Sequence, residues 1–423
     1  MNPLIAVVAD DLTGVCDTGA QFASSGLRTI GSVDEEFLSE DIPDVMMINT
    51  RSRSLEGPAA SRRVEHAVSR LKRFKPKWFF KKIDTALRGN IAAEVIAMME
   101  TLGVNIVLYV AAIPVAGRTT VGGCQFFQGI PIRDSIHGED RFNPNPIPTS
   151  SNPELFSRIE GLETKGMGLD EVRSSSLDIS GIFESPSKKI VIFDCETDED
   201  IDRIVGASMR LDPSSFFFVG SFGLSSAMGR YLKESLQITE IRPTVNEKML
   251  SLESRKKMLI VSGSSHPMAR SQISCLRKEG RVEVIEFEPE GLVERPDSCA
   301  REATRVLRRL RGQNKGVVLT IGEGESSMKQ QSQDLVVALA EVVRRLLESN
   351  GIDGLLLVGG ETGDAVCRAL GIGRIEVFGN VASVAAYGKP LNGPAGIKVL
   401  VTKGGSLGEE NTLQKILTFF DPA

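Results

Sequence analysis

Histidine is scarce in this chain of 423 residues, which holds only His66, His137 and His266. That scarcity argues against a multi-histidine metal centre and against a serine–histidine relay. Cys16, Cys124, Cys195, Cys275, Cys299 and Cys367 have neither metal-ligand nor disulfide spacing, which points to a reduced, cytoplasmic enzyme. Long apolar runs are missing. None reaches the length of a membrane span, and Leu4 to Ala9 is too short for a signal peptide and runs into two aspartates. Positive charge is not in excess either: the net charge of −5 counsels against a nucleic-acid partner. No Walker A loop occurs, since no glycine-rich turn leads into lysine followed by Ser or Thr. No GxGxxG follows the first strand, and Gly322-Glu323-Gly324-Glu325-Ser326-Ser327 is too acidic for a phosphate loop. A dehydrogenase is therefore disfavoured.

What is present is an ordinary globular balance, with 25% charged and 41% apolar residues. The length exceeds one hydrophobic core and implies two domains. Short β-rich apolar runs alternate with helical patterns. Leu4–Val8, Val45–Asn49, Trp78–Phe80, Ile106–Val110, Ile190–Phe193 and Phe216–Val219 read as strands. Helices are expected over Thr18–Ser25, Pro58–Phe74 and Phe222–Leu236. A second series begins at Met258–Val261 and continues with Val282–Phe287, Val317–Thr320, Gly354–Val358, a short Glu376–Phe378 and Val399–Val401. Leu335–Leu347 reads as a long amphipathic helix. The pattern predicts an α/β fold of two domains, each a largely parallel sheet flanked by helices, with the active site in a cleft between them. The boundaries are 1–240, a polar linker at 241–257, and 258–423. The Gly- and Pro-rich stretch Gly117–Pro153 is too long for a plain connection and is expected to form an ordered flap or a structural excursion.

Polar residues concentrate where strands end, which is where open α/β sheets bind small molecules. Ala9-Asp10-Asp11-Leu12-Thr13-Gly14 follows the first strand. Its aspartates suit magnesium, substrate hydroxyls or a helix cap about equally well. Asp17 either lines the same pocket or occupies an exposed helix start. Arg51 and Arg53 follow the second strand, and a guanidinium fork fits a substrate carboxylate; a solvated surface role is the alternative. In Lys81-Lys82-Ile83-Asp84-Thr85-Ala86-Leu87-Arg88-Gly89-Asn90, a continuing strand would make Lys82 and Asp84 neighbours. A helical turn would then bring Arg88 to Asp84, as a catalytic group or a purely structural ion pair. Arg118 adds another positive charge. In the second half, Ser262-Gly263-Ser264-Ser265-His266, Gly359-Gly360-Glu361-Thr362 and Lys403-Gly404-Gly405-Ser406-Leu407-Gly408 each leave a strand through small residues. Each is an ordinary turn on its own; three on one sheet edge suit phosphate binding. A carboxylate-binding half and a phosphate-binding half suggest a kinase.

At these segments, and over nearly its whole length, the chain resembles the four-carbon acid sugar kinases. The resemblance implies an N-terminal domain for the sugar acid, a C-terminal domain for ATP, and Mg²⁺ bridging the phosphates. It implies transfer of the γ-phosphoryl group to the terminal hydroxyl of a four-carbon aldonate. Asp11, Arg53, Lys82, Asp84 and Arg88 become the expected substrate contacts, with Asp84 and Lys82 catalytic. Ser264, Gly359, Gly360, Glu361, Thr362 and Gly405 become the expected ATP contacts. Leu12 and Asp17-Thr18-Gly19 look most like the threonate/erythronate branch, and D-threonate is the first choice. D-erythronate or a 3-oxo-tetronate is the alternative within the family. Four positions depart from the family pattern: Ala86 stands where Ser is frequent, Ser265-His266 replaces Cys-Ser, and Leu407 replaces Phe. Outside the family, the competing readings are a metal-dependent aldonate dehydratase or aldolase using Asp10 and Asp11, and a non-enzymatic metabolite sensor. A homodimer is the base-rate expectation for a soluble enzyme.

Overall fold

The computed structural model describes residues 2–34, 41–138, 147–175, 177–239, 258–310, 316–322, 329–349 and 351–420. The polar linker 241–257 and most of the acidic Gly322–Ser327 motif lie outside the described residues. The chain divides into two compact units, Met1–Arg242 and Pro243–Ala423.

The first unit runs β1 (Ile5–Ala9), α1 (Leu12–Ser24), β2 (Thr29–Ser32), β3 (Val45–Asn49), α2 (Gly57–Lys72), β4 (Trp78–Lys82), α3 (Ile91–Leu102) and β5 (Ile106–Val110). A small antiparallel sheet follows, made of β6 (Arg118–Val121), β7 (Cys124–Phe127) and β8 (Ile130–Pro131). Then come β9 (Leu162–Met167), α4 (Leu169–Val172), β10 (Lys188–Phe193), α5 (Asp198–Ser208), β11 (Phe216–Gly220) and α6 (Phe222–Ser235). The main sheet of this unit has the order β2-β3-β1-β4-β11-β5-β10-β9, and every pairing in it is parallel. All residues of β1, β3, β5 and β11 are buried, as expected of strands covered by helices on both faces. On α2 the buried residues Ala60, Val64, Ala67, Val68 and Leu71 form one stripe at helical spacing.

β1 lies between β3 and β4, and Ala9 is level with both Asn49 and Lys82. The chain turns opposite ways from β1, so its carboxyl end is a topological switch point. The turns after β1, β3 and β4 therefore open side by side. Three local expectations need correction here. α1 begins six residues before the predicted Thr18, because Asp11 caps it by accepting a hydrogen bond from Gly14 N at 2.6 Å. Asp17 is consequently a buried residue in the second turn of α1, not an exposed helix start. β4 ends at Lys82, and the segment before Ile91 is a chain of turns, so neither strand alternation nor a helix places Asp84 and Arg88. Strands β2 and β9, too short or too polar to stand out, were not legible in the sequence.

The second unit contains β12 (Met258–Ser262), α7 (Pro267–Lys278), β13 (Val282–Phe287), α8 (Pro289–Glu294), α9 (Pro296–Arg309), β14 (Gly316–Ile321), α10 (Lys329–Ser349), β15 (Gly354–Val358), α11 (Gly360–Ala369), β16 (Arg374–Val381), β17 (Ala385–Pro390), β18 (Val399–Lys403) and α12 (Thr412–Phe420). β13-β14-β12-β15-β18 is parallel, and β17 and β16 extend it antiparallel. The predicted short strand at Glu376–Phe378 is thus one arm of a longer hairpin. One face of this sheet buries Ile260, Leu356, Val358 and Val401 against Ala269 and Leu276 of α7 and Leu413 and Ile416 of α12. Ser262, Val358 and Lys403 stand level, so the three glycine-rich turns also open side by side. No helix among the described residues is long and apolar enough to cross a membrane.

Candidate active site

Arg53 organises the first cluster. Its Nε and one Nη grip Asp10 at 2.7 and 2.9 Å, and its other Nη donates to Asp11 Oδ2 at 2.6 Å. The bidentate fork needs its loop held firmly. Asn90 does this by donating to the carbonyls of Ser52 (3.0 Å) and Leu55 (2.7 Å). Gly89 lies against Arg53 with a φ of +88°, where a Cβ would meet Arg53 Cγ at 3.2 Å; the close approach and the left-handed backbone both require glycine. Arg51 and Leu87 also adopt positive φ, 49° and 60°. Non-glycine residues in that region concentrate where function tolerates strain.

Alternation sends the two adjacent lysines of β4 to opposite faces. Lys81 is wholly buried and pairs with Glu94 of α3 at 2.8 Å. Lys82 points toward α1, where its Nζ lies 3.8 Å from Asp17 Oδ2 and donates to Ile83 O at 3.0 Å. Asp84 binds Arg88 Nε through Oδ2 and accepts from Ala86 N through Oδ1 at 3.3 Å. Ala86 itself is fully buried. Arg118, carried in by the small sheet, donates to the Thr85 hydroxyl and is buried. The hairpin that presents it is fastened by Asp194, which accepts from Gly122 N (2.7 Å) and Gly123 N (2.9 Å). The Gly- and Pro-rich excursion therefore delivers a cation to the site.

Charge balance separates the carboxylates. Burial disfavours ionisation of Asp84, but Arg88, Arg53 and Arg118 outweigh it and hold the carboxyl well below its usual range. Burial likewise opposes ionisation of Asp10, and Arg53 reverses it, so Asp10 is also lowered. Asp17 goes the other way. Burial pushes it up to about 6, with Lys82 opposing and Asp11 adding to the rise.

In the second unit Ser264 is the meeting point. A Cβ on Gly405 would overlap its hydroxyl, and a Cβ on Gly359 would lie 3.6 Å from its Cβ. Gly359 has a φ of 103°, and its N–H donates to Lys403 O at 2.8 Å, tying the second turn to the third. Thr362 accepts from Gly263 N at 3.1 Å, tying the first turn to the second. α11 starts at Gly360, so its unsatisfied amides face the crowded glycines, an arrangement suited to phosphate. Glu361 is exposed in that first turn, where its amide rather than its carboxylate fits an anion. Ser262 Oγ and Thr402 Oγ1 are buried without hydrogen-bond partners among the described residues. His266 caps α7, accepting from Met268 N at 3.1 Å. Lys403 is fully buried, its Nζ donating to Gly404 O at 2.6 Å, and burial pushes its pKa down to about 7.

The structure thus gathers Asp11, Arg53, Lys82, Asp84 and Arg88 at one strand-end cluster, and Ser264, Gly359, Gly360, Thr362 and Gly405 at another. Sequence reasoning overlooked three supports. Glu94 left a trace, as the one charge in the apolar run Ile91–Met99. Asp194 and the depth of Lys403 left none, since both depend on contacts distant in sequence. Among the described residues no three His, Cys, Asp or Glu side chains are grouped to hold a metal. Asp10 and Asp11 face a guanidinium instead, so a resident cation does not fit this cluster.

Comparison with known proteins finds two family models along the chain. Residues 5–228 match the family model of a sugar-binding N-terminal domain, and residues 259–413 that of a nucleotide-binding C-terminal domain. The chain is 28% identical to a D-threonate kinase of Salmonella typhimurium, covering 98% of both chains. It is 27% identical to a D-erythronate kinase of Heliobacterium modesticaldum, covering 96% of this chain and 94% of that one. A solved structure from Salmonella typhimurium LT2, described as a putative tRNA synthase, superposes with a TM-score of 0.73. It is 18% identical, with 98% of this chain and 99% of that one covered, and it shares the fold.

Proposed function

The chain belongs to the four-carbon acid sugar kinase family, and from that premise we propose that it transfers the γ-phosphoryl group of Mg·ATP to the 4-hydroxyl of a four-carbon aldonate. D-threonate is the proposed acceptor. Identities of 28% to a threonate kinase and 27% to an erythronate kinase do not separate the two acids, so the choice rests on Leu12 and Asp17-Thr18-Gly19. The observation that carries the kinase reading is the packing of three small-residue turns around Ser264 at the start of α11. That cradle needs no lysine–serine motif, because backbone amides and the helix dipole supply the anion contacts.

In this reading Ser264, Gly359 to Thr362 and Gly405 hold the phosphates, while Mg²⁺ arrives with the nucleotide and keeps most of its waters. Asp11 and Asp84 receive hydrogen bonds from substrate hydroxyls. Arg88 and Arg53 supply positive charge for the carboxylate, and Lys82 stands at the hydroxyl end. Because Arg53 already binds two aspartates, it orients Asp11 as much as it attracts substrate. Catalysis comes from alignment of hydroxyl and phosphoryl group and from water exclusion, which limits ATP hydrolysis.

The test is ADP release with Mg·ATP across D-threonate, D-erythronate, L-threonate and 3-oxo-tetronates. One acid is expected to raise turnover at least about tenfold over the acceptor-free rate, a difference of about 1.4 kcal/mol in barrier. Stimulation by none of them, in protein whose melting temperature still rises with ATP, would move the acceptor outside this class.

A further inference from the structure

Phosphoryl transfer to an alcohol releases a proton, and the site offers four carboxylates to take it, of which Asp10, Asp17 and Asp84 are buried and Asp11 partly so. Three have both oxygens engaged. Asp10 lies in the fork of Arg53, Asp11 is shared between Gly14 N and Arg53, and Asp84 between Ala86 N and Arg88. Asp17 differs. The Thr18 hydroxyl donates to its Oδ1 at 3.2 Å, and Oδ2 faces Lys82 Nζ at 3.8 Å. That gap is too wide for a direct hydrogen bond. It suits a third atom: an alcohol oxygen about 2.8 Å from each would donate to Oδ2 and accept from Nζ.

Resting on the kinase reading above, we propose that Asp17 Oδ2, rather than Asp84, accepts the proton of the phosphorylated hydroxyl while Lys82 Nζ holds that oxygen in place. The hydroxyl O–H bond breaks, and its electron pair forms the new bond to the γ-phosphorus of Mg·ATP. The bond from the γ-phosphorus to the β–γ bridging oxygen breaks, and its pair leaves with ADP. The proton resides on Asp17 until it is returned to water with product.

The surrounding charges agree with this assignment. Those acting on Asp17 are Lys82 from β4, Asp11 from the β1–α1 turn and Arg118 from the small sheet. The strands β1, β2 and β3 packed against α1 carry no charge, and α6 has none before Arg230. A carboxyl titrating near 6 is ionised yet still basic at neutral pH, whereas one held down by three arginines is a poor base.

Single-turnover transfer to the best acceptor, measured from pH 5 to 9, tests the proposal. In the wild type the rate should fall about tenfold per pH unit below about 6. Asp17→Asn should lose about 10²- to 10⁴-fold in rate and lose this acid limb, with aldonate KM changed less than about threefold. Asp17→Glu, which guards against a folding defect, should keep the limb at a reduced rate. Asp84→Asn should raise KM and keep the limb. An Asp17→Asn enzyme with a near-normal rate or an intact limb would overturn the proposal alone, as would an Asp17→Glu enzyme without one. A wild type that phosphorylates none of the four-carbon acids would overturn the kinase reading and this proposal together.

Discussion

Lys403 shows what burial does to a single side chain. It stands at the end of β18 with no exposure and with a backbone carbonyl as its partner, and burial lowers its pKa from 10.5 to about 7. The unfolded chain then binds one more proton than the folded one between about 7 and 10.5. Stability conferred by this residue should rise with pH across that window and be flat below it. We expect the stability of the wild type, relative to Lys403→Met, to climb by at most about 1.4 kcal/mol per pH unit from pH 7 to 9. Urea titrations at several pH values measure this, and a flat difference would mean that the ammonium stays charged. The residue lies on the glycine-rich turn at the candidate nucleotide site, where a nearby phosphate would restore its proton.

Single strands and helices carry the first cluster by burying charge in matched pairs. The Lys81–Glu94 pair joins β4 to α3 with exposures of 0% and 2%, directly behind the polar turn that holds Asp84. Burial pushes the Glu94 carboxyl up and Lys81 opposes that rise. Glu94→Gln removes the carboxylate that pairs with the lysine directly. We expect it to cost about 3 kcal/mol of unfolding free energy, the low end for breaking a buried pair. Replacing both partners, Lys81→Met with Glu94→Leu, should recover most of that loss. A single substitution within about 0.5 kcal/mol of the wild type would refute the pairing as a fastener between these elements.

Across the whole molecule, each compact unit presents its polar turns at the carboxyl ends of adjacent parallel strands. If the units divide the work, ligands should protect different amides from exchange. ATP alone is expected to slow exchange at 263–266, 359–363 and 404–408, and the aldonate alone at 10–18, 50–54 and 83–90. The reverse pattern would overturn the assignment of acid and nucleotide to their units. Much of this plan was legible in the sequence. Apolar runs that must be buried on both faces, such as Val45–Asn49, Ile106–Val110 and Gly354–Val358, marked strands to the residue. Turn residues at their ends marked where the chemistry gathers, because backbone conformation and solvation are local constraints that each residue states for itself. Strands β2 and β9 and the hairpin arm β17 carry no such imprint, since they are too short, too polar or too rich in small residues to form an apolar run. The partners of each charge were likewise open: Asp10 and Asp11 suited a metal, a hydroxyl or a cap equally well until Arg53, over forty residues away, was placed against them. The sequence alone determined the two α/β halves, the position of their polar turns and the family. Tertiary structure decided which carboxylates are held low by arginines and which one burial raises, because a charge's state depends on the desolvation and the counterions that folding brings to it from elsewhere in the chain.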